Sequence, residues 1–579
     1  MYYTQFRLDP LPPETAEQLL GALLGLDAGL DPLKRVLIAR TEGNPFFLEE
    51  SVRALVETGS LLGERGAYRL ARPLPTIQVP ATVQAVLAAR IDRLPPGDKA
   101  ILQMASVVGK DVLLVLLQAI AEHAEDDLHA AIGRLQAAEF LYEAGVFPDL
   151  EYTFKHALTH DVTYGSLLQN RRRTLHGQIM DAIERLYPDR LPEHVERLAH
   201  HAFRGEAWGK AVTYFRQAGV KAIAASLHRE AVHWFEQAIG ALERLPQTDD
   251  ARALAVDLHL DIRSALLPLG EFGRMLERLR AGERLAAALG DRRRLGRICA
   301  YLTDYFRQVG DYEQALESGR RGLAAAEVEG DLGILLATNI YLGHVYYDTG
   351  QYGRATAHLR RNVTTLGPEM LHERFGLPYL VSVHSRTWLA AGLVELGLFN
   401  EAIEHGKEAL RIAEGSNHAS SLVSAHMGLG RAHLRRGDLE RAVPVLERGV
   451  ELARLWKMRL VLPFLADSLG LAYALAGRNA ESLPLLHEAL DLHVTMRGTA
   501  TQSARLVSLA QGHLLAGNAA EAVSLASRAL ELAERHGERG YLAYAHGALG
   551  EAFMALESPD YRRAEEHWLA AAALSRDLE

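Results

Sequence analysis

Over the last two-thirds of the chain, apolar positions keep to the period of a helix and are interrupted at regular points by glycine. Between Thr338 and Leu366, Leu342, Val345 and Tyr346 fall at helical spacing, the pattern stops at Gly350, and Tyr352, Ala355 and Leu359 restart it. A glycine after an apolar helical stretch enters the left-handed region without a Cβ penalty and ends the helix. The segment therefore predicts two helices joined by a tight turn. The same glycine recurs as Gly310, Gly350, Gly397, Gly437, Gly477 and Gly517, at intervals of 40, 47, 40, 40 and 40. Five residues after each stands a small residue: Ala315, Ala355, Ala402, Ala442, Ser482 and Ala522. Four residues before each stands a ring or an aliphatic: Phe306, Tyr346, Leu393, His433, Tyr473 and His513. A lone hairpin cannot bury its apolar stripe, so three positions held in step predict hairpins stacked into one continuous core.

The spacing of these residues resembles the tetratricopeptide repeat, which carries a small residue and a tyrosine in its first helix and alanines in its second. Gly343, Tyr346, Ala355 and Leu359 match it, as do Gly430, Ala442 and Leu446, and Gly470, Tyr473, Leu486 and Ala489. The period of 40 exceeds that family's usual length, which leaves the superhelical pitch open and the hairpin intact. Weaker copies flank the regular set, at Gly270, Phe272 and Met275 upstream and at Gly550, Phe553, Ala564 and Trp568 downstream. Ala211, Phe215 and Ala218, then Ala231, Phe235 and Ala238, mark an irregular start.

From Met1 to about Arg190 the period is absent. Helices are predicted from Leu11, over Leu33–Arg40, and from Phe46 to about Glu57, with Gly43-Asn44-Pro45 as a turn and a short extended pair at Ser60–Leu62 and Tyr68–Leu70. Pro73, Pro75 and Pro80 read as a linker. Helices over Ala81–Leu94, Asp98–Val108, Val112–Ala121 and Asp126–Ala138 follow, then a hairpin of Phe140–Glu143 against Tyr152–Phe154 with Pro148 in its bend. That order predicts a winged-helix domain. The expected class is all-α: a small helical domain at 1–78, a winged-helix domain at 79–187, and at 188–579 an α–α superhelix built on the glycine period.

Composition narrows the setting. A single cysteine, Cys299, excludes an internal disulfide framework and fits a reducing cytoplasm. The start of the chain shows no basic-then-apolar leader, and Val112–Ala121 is too short an apolar stretch to cross a bilayer. A net charge of −10 argues against general affinity for nucleic acid.

Within the first part, Thr41–Glu50, Arg90-Ile-Asp-Arg-Leu-Pro95, Ala105–Gly109 and Phe154–Leu168 resemble the back half of the STAND class of signal-transducing P-loop ATPases. The variant they are most similar to often sits, in bacteria, behind class III adenylate/guanylate cyclase domains and in front of tetratricopeptide arrays. The resemblance implies that Pro45 corresponds to the proline that packs near adenine. It also implies that His156 corresponds to the winged-helix histidine that approaches the β-phosphate of ADP. By their own residues, Pro45 reads equally as a first-turn helix proline, and His156 as a core or capping histidine at a strand-to-helix junction.

No Gly-x-x-x-x-Gly-Lys-Ser/Thr occurs, and Gly109-Lys110 lacks the upstream glycine. No apolar strand ending in paired acids precedes residue 41. By the resemblance the chain begins just past the nucleotide-binding core. On its own it is expected to be no enzyme and to hold no cofactor, ATP or ADP being bound in a full-length parent. Other chemistry is thin. His156 and His160 are four apart but lack a third metal ligand, His200-His201 read as a solvated pair, and Arg171-Arg-Arg173 as a solvated or dipole-pairing helix end. Glu122, Glu125, Asp126, Asp127 and Glu139 surround the candidate recognition helix against one Arg134, which opposes DNA binding.

These observations predict a cytoplasmic regulatory module, the sensor arm of a signalling ATPase whose array binds a protein, a peptide or a small effector, and neither nucleic acid nor membrane. A free-standing scaffold is the alternative, and a maltose-activator-type transcription regulator a more distant one. Side chains off the Tyr346 stripe are the candidate partner contacts on the concave face: Asn339, His344, Arg386, His426, Arg431 and Asp467.

Overall fold

The computed structural model describes residues 10–73, 80–121, 124–145, 150–416, 418–495 and 500–578. Pro75, Glu122, Pro148 and the start before residue 10 lie outside them. The chain divides into two compact units, Met1–Ala218 and Gly219–Glu579. The junction expected at 187/188 falls inside the first.

In the first unit, α1 (Pro13–Leu24), α2 (Asp31–Thr41) and α3 (Pro45–Glu57) bury Leu20, Leu24, Leu33, Leu37 and Leu48 together. Asn44 caps α3 by accepting the Phe47 N–H at 3.0 Å. Strands β1 (Leu61–Leu62) and β2 (Arg69–Leu70) form the expected extended pair, and are antiparallel. Then come α4 (Val83–Asp92), α5 (Pro96–Val108), β3 (Asp111–Leu113), α6 (Leu114–Ile120), α7 (Glu125–Ala137), β4 (Leu141–Gly145) and β5 (Glu151–Phe154). The three strands lie in the order β3–β5–β4, all antiparallel, the topology of a winged helix. The single helix predicted over Val112–Ala121 is corrected here. Gly109, at a φ of 148°, turns the chain out of α5, so that Val112 pairs with Tyr152 and the helix begins only at Leu114. The backbone of residues 111–113 thus finds its hydrogen bonds across the sheet, a partner that local periodicity does not reveal.

Helices α8 (Ala157–Gly165), α9 (Gln169–Leu186) and α10 (Val195–Arg204) complete the unit, and the boundary falls within α11 (Trp208–Ala224). Arg172 stands at the end of α8, donating to the carbonyls of Gly165 and Leu167, both at 2.9 Å. His201 does not belong to a solvated pair. It is buried, and its Nδ1 shares a hydrogen bond of 2.9 Å with Nδ1 of His176, whose Nε2 meets the Tyr164 hydroxyl.

The second unit is an α–α superhelix. After α12 (His228–Leu242) come eight hairpins: α13/α14 (Asp249–Leu269, Phe272–Leu289), α15/α16 (Arg292–Gln308, Tyr312–Glu329), α17/α18 (Leu332–Asp348, Tyr352–Thr365), α19/α20 (Val381–Glu395, Phe399–Ser416), α21/α22 (Ala419–Arg436, Leu439–Leu455), α23/α24 (Leu462–Leu475, Asn479–Thr495), α25/α26 (Gln502–Leu515, Ala519–His536) and α27/α28 (Arg539–Met554, Tyr561–Asp577). The turn glycines from Gly310 to Gly517 all have φ between 73° and 83°. The small residue five places on is essentially inaccessible in every copy, from Ala315 to Ala522. The longer interval of 47 is taken up between Thr365 and Val381, where a 3-10 turn at Pro368–Met370 lengthens the connection.

Close packing follows from a second set of glycines. A Cβ on Gly343 would stand 2.8 Å from Leu359, on Gly430 2.5 Å from Leu446, and on Gly470 2.7 Å from Leu486, the same contact in three hairpins. First helices are buried nearly all round: α17 buries residues on every face, whereas α18 buries Tyr352, Ala355, Thr356, Leu359 and Asn362 along one stripe. Each first helix from α13 to α25 also touches the first helix of the next hairpin, so these helices form the inner wall. The coil is tight. Helix α27 returns to meet α17, five hairpins back. Glu538, fully buried, joins the two passes by accepting from the Tyr312 hydroxyl at 3.0 Å, the Thr501 N–H at 2.8 Å and the Ser503 hydroxyl.

Candidate functional site in the array interior

The inner wall is polar where a helical core is ordinarily apolar. Side chains two, six and nine residues before each turn glycine project along it, the spacing that keeps residues on one helix face. They include Tyr301, Asp304, Tyr341, His344, Asp348, Trp388, Glu395, Arg431 and Arg435. A ladder of buried ion pairs runs up the wall, each arginine reaching an aspartate of the next hairpin: Arg263 with Asp304, and Arg307 with Asp348 at 2.6 Å. Burial raises the Asp348 carboxyl to about 6 despite that arginine, and its Oδ1 has no hydrogen-bond partner among the described residues.

Above this ladder the pairing loosens. Arg431 donates to the Tyr347 hydroxyl at 2.8 Å, and Tyr347 and Tyr544 both donate to Glu395, at 3.0 and 2.6 Å. Arg435 lies over the Tyr544 ring at 4.6 Å and makes no ion pair among the described residues. Arg505, 4 % exposed, lies 4.3 Å over the Phe464 ring, with its nearer carboxylate, Asp467, 3.8 Å away. Among the described residues its Nε and Nη2 find no hydrogen-bond partner, nor does Oδ1 of Asp467. Tyr347, Arg431, Arg435, Phe464, Asp467, Arg505, Tyr541 and Tyr544 line a cavity of about 30 Å3, room for one or two water molecules.

Of the six candidate partner contacts, the structure brings Arg431 and Asp467 to this cavity. His344 is on the same wall, buried against Trp388 at a ring separation of 4.1 Å. The other three do not belong there. Asn339, Arg386 and His426 all stand eleven residues before their turn glycine, a position that faces the hairpin's own second helix. Asn339 is fully buried and bonded to Asn362 and His358 of α18, both at 2.9 Å. The Cβ of His426 lies 3.1 Å from where Gly449 of α22 would carry its own, and Arg386 is desolvated near Glu408 and Arg411 of α20. The candidate list thus mixes two stripes of one helix, the inner wall and the hairpin seam.

The residues missed are Tyr347, Asp348, Glu395, Arg435, Arg505 and Tyr544. A charge two places before the turn glycine, in helices otherwise apolar on every side, is the signal that would have found Asp348, Glu395 and Arg435.

In the first unit, Pro45 is the first residue of α3 and His156 the N-cap of α8, accepting the Leu158 N–H through Nδ1 at 3.1 Å. Phe46, next to Pro45, stacks on the His156 ring with centroids 3.9 Å apart, so the two elements meet. Accepting through Nδ1 leaves the imidazole proton on Nε2, and the side chain is exposed. That tautomer suits a donor to a phosphate oxygen. Arg134, the one arginine of the candidate recognition helix, is engaged bidentately by buried Asp98 at 2.8 and 2.6 Å. No group of three or more metal-ligating side chains occurs among the described residues, and no helix among them is long and apolar enough to cross a membrane.

No curated protein matches the sequence of this chain. Among solved structures it is similar to the STAND protein with a tetratricopeptide repeat sensor from Pyrococcus horikoshii, at 11 % identity over 98 % of this chain and 75 % of that one, with a TM-score of 0.46. It is also similar to a Rap protein complexed with competence and sporulation factor (14 % identity, 63 % of this chain, 98 % of that one, TM-score 0.48). A third is aspartyl phosphate phosphatase F from Bacillus subtilis (11 % identity, 64 % and 94 %, TM-score 0.37). Residues 383–454, which fall in the α19/α20 and α21/α22 hairpins, match the tetratricopeptide repeat family.

Proposed function

We propose that this chain is the regulatory and partner-binding part of a signal-transducing ATPase. In this reading the array takes a protein, a peptide or a small effector against its inner wall. The helical and winged-helix elements pass that event to a nucleotide-binding core and an output domain, such as a nucleotide cyclase, in a longer parent. The observation that carries the reading is the inner wall itself, where Arg505, Asp467 and Asp348 keep buried polar atoms without protein partners. Such atoms are costly in a scaffold and useful in a receptor. The contact of Phe46 with His156 supports the nucleotide-linked part. It holds the element that would lie near adenine against the histidine that would reach the β-phosphate, in the tautomer that donates. The chain alone is expected to hydrolyse no ATP.

The test is to read the genomic DNA upstream of Met1 in frame and express what it encodes. A P-loop and a Walker B acid pair there, together with ADP binding that weakens in His156→Ala, are the expected result. A stop codon and ribosome site directly before Met1 would overturn the nucleotide-coupled role and leave a scaffold that binds partners through its hairpins.

A further inference from the structure

We propose that the array interior is a seat for an oxyanion, the carboxylate or phosphate group of an effector, formed by Arg431, Arg435 and Arg505. The inference rests on the reading above and gives it a chemistry. Three guanidinium groups face one cavity, and none is held by a carboxylate fork among the described residues: Arg431 spends a donor on a tyrosine hydroxyl, Arg435 lies on a ring, and Arg505 keeps Nε and Nη2 without a hydrogen-bond partner there. Asp348 and Asp467 line the same cavity, each with an Oδ1 that lacks a hydrogen-bond partner among the described residues, yet neither grips these three arginines closely. Asp348 is already held by Arg307, and both oxygens of Glu395 accept from tyrosines. Asp467 stands 3.8 Å from Arg505, too far for the bidentate fork that arginine forms with a carboxylate.

Other buried arginines hold a carboxylate directly, although Arg263 and Arg307 also leave Nε without a hydrogen-bond partner among the described residues. Arg90 is held by Glu50 and Glu57, and Arg263 by Asp304. Arg505 is buried and Arg431 and Arg435 are half-buried, and desolvated guanidinium donors that no carboxylate fork holds favour an anion from outside. The three come from α21 and α25, two hairpins apart in sequence, so an oxyanion between them would bridge one part of the coil to another. The Tyr347, Tyr541 and Tyr544 rings wall the seat and offer their faces to whatever carries the anion, the Tyr347 and Tyr544 hydroxyls being spent on Glu395. At about 30 Å3 the cavity holds one or two waters, so an oxyanion would enter only as these leave and the walls give.

The experiment is thermal unfolding of the full chain in phosphate, in succinate and in chloride at matched ionic strength, with Arg435→Gln, Arg505→Gln and the exposed outer-helix control Arg528→Gln. At roughly ten times its half-saturating concentration, the preferred oxyanion is expected to raise the array's Tm by about 2–4 °C. Chloride should not, and the larger of the phosphate and succinate shifts tells which group the seat takes. The shift should vanish in Arg435→Gln and persist in Arg528→Gln. Arg435 is half-buried and unpaired, so this variant keeps the test valid should Arg505→Gln fail to fold. No oxyanion shift in the unmodified chain, or an equal shift in Arg435→Gln, overturns the seat. If an array without such a shift still binds a partner through its inner wall, only the seat has failed; if the inner wall binds nothing, the receptor reading has failed with it.

Discussion

The molecule buries arginines in two ways. In the first unit, Arg90 is 2 % exposed and fully engaged. It reaches Glu50 and Glu57 of α3, donates to the Ala138 carbonyl at 3.0 Å and lies over the Phe140 ring at 4.7 Å. Every element it touches is thereby tied to α4, and nothing of it is left to bind anything else. In the array, Arg431, Arg435 and Arg505 are held by rings, a hydroxyl and one distant carboxylate. A charge that is both buried and paired ties structure together; one that no carboxylate fork holds keeps donors open to another group. Burial alone does not separate the two, and the partner inventory does.

Acid is the broadest way to test that division. Burial pushes the His384 and His493 rings down to about 3 and His259 to about 4, and His344 is also lowered, whereas the first unit carries the His176–His201 pair in this state. Unfolded histidine titrates near 6.5. A folded value below that means the unfolded chain binds more protons, so the stability these rings contribute is whole above pH 6.5 and drains away as pH falls through it. Asp348, raised to about 6, works the opposite way and offsets part of the loss in the array. Calorimetry from about pH 7 to about pH 5 should show both transitions falling, the array's further. A parallel fall would mean that the interior histidines are no more shielded than the pair in the first unit.

Removing single partners sharpens the contrast. Arg90→Ala leaves Glu50 buried without its cation and should cost the first unit about 3–5 kcal/mol by urea denaturation; a loss below a third of that would make the pair ornamental. Glu538→Ala strips three donors of their acceptor where the coil meets itself. It should cost about 2–3 kcal/mol and enlarge the radius of gyration in X-ray scattering, and an unchanged radius would show that other contacts hold the passes together. Asn339→Ala leaves Asn362 short of a partner and should cost about 1–3 kcal/mol with partner binding intact. The reverse outcome, weakened binding at full stability, would return Asn339 to the inner wall.

The repeat was legible because each constraint behind it acts within one hairpin: a glycine at the turn, a small residue at the crossing, a ring four places before. The helical and winged-helix elements were readable for the same reason, apart from β3. That strand resembles the start of the helix that follows and forms only through pairing with Tyr152, on the far side of α6, α7 and β4. The inner wall was half legible. First helices such as α17 are buried on every side, so polarity alone does not tell the wall from the hairpin seam, and Arg431 and Asn339 looked alike in sequence. The seam is decided by what α18 and α22 present, and the wall by how tightly the coil winds. His201 was misread for a related reason, since the ring it meets, His176, comes from another helix.

The closure at Glu538 has a kinetic side. With five hairpins to a turn and room for one or two waters in the cavity lined by Arg431 and Arg505, that cavity would take anything larger only as the passes loosen. Arrival there would then be timed by the loosening of the coil and not by diffusion. The observed association rate would level off as ligand concentration rises, and an occupant, once shut in, would leave at the pace of the same loosening. An array with such a closure would respond to how long an occupant is present as well as to how much of it there is.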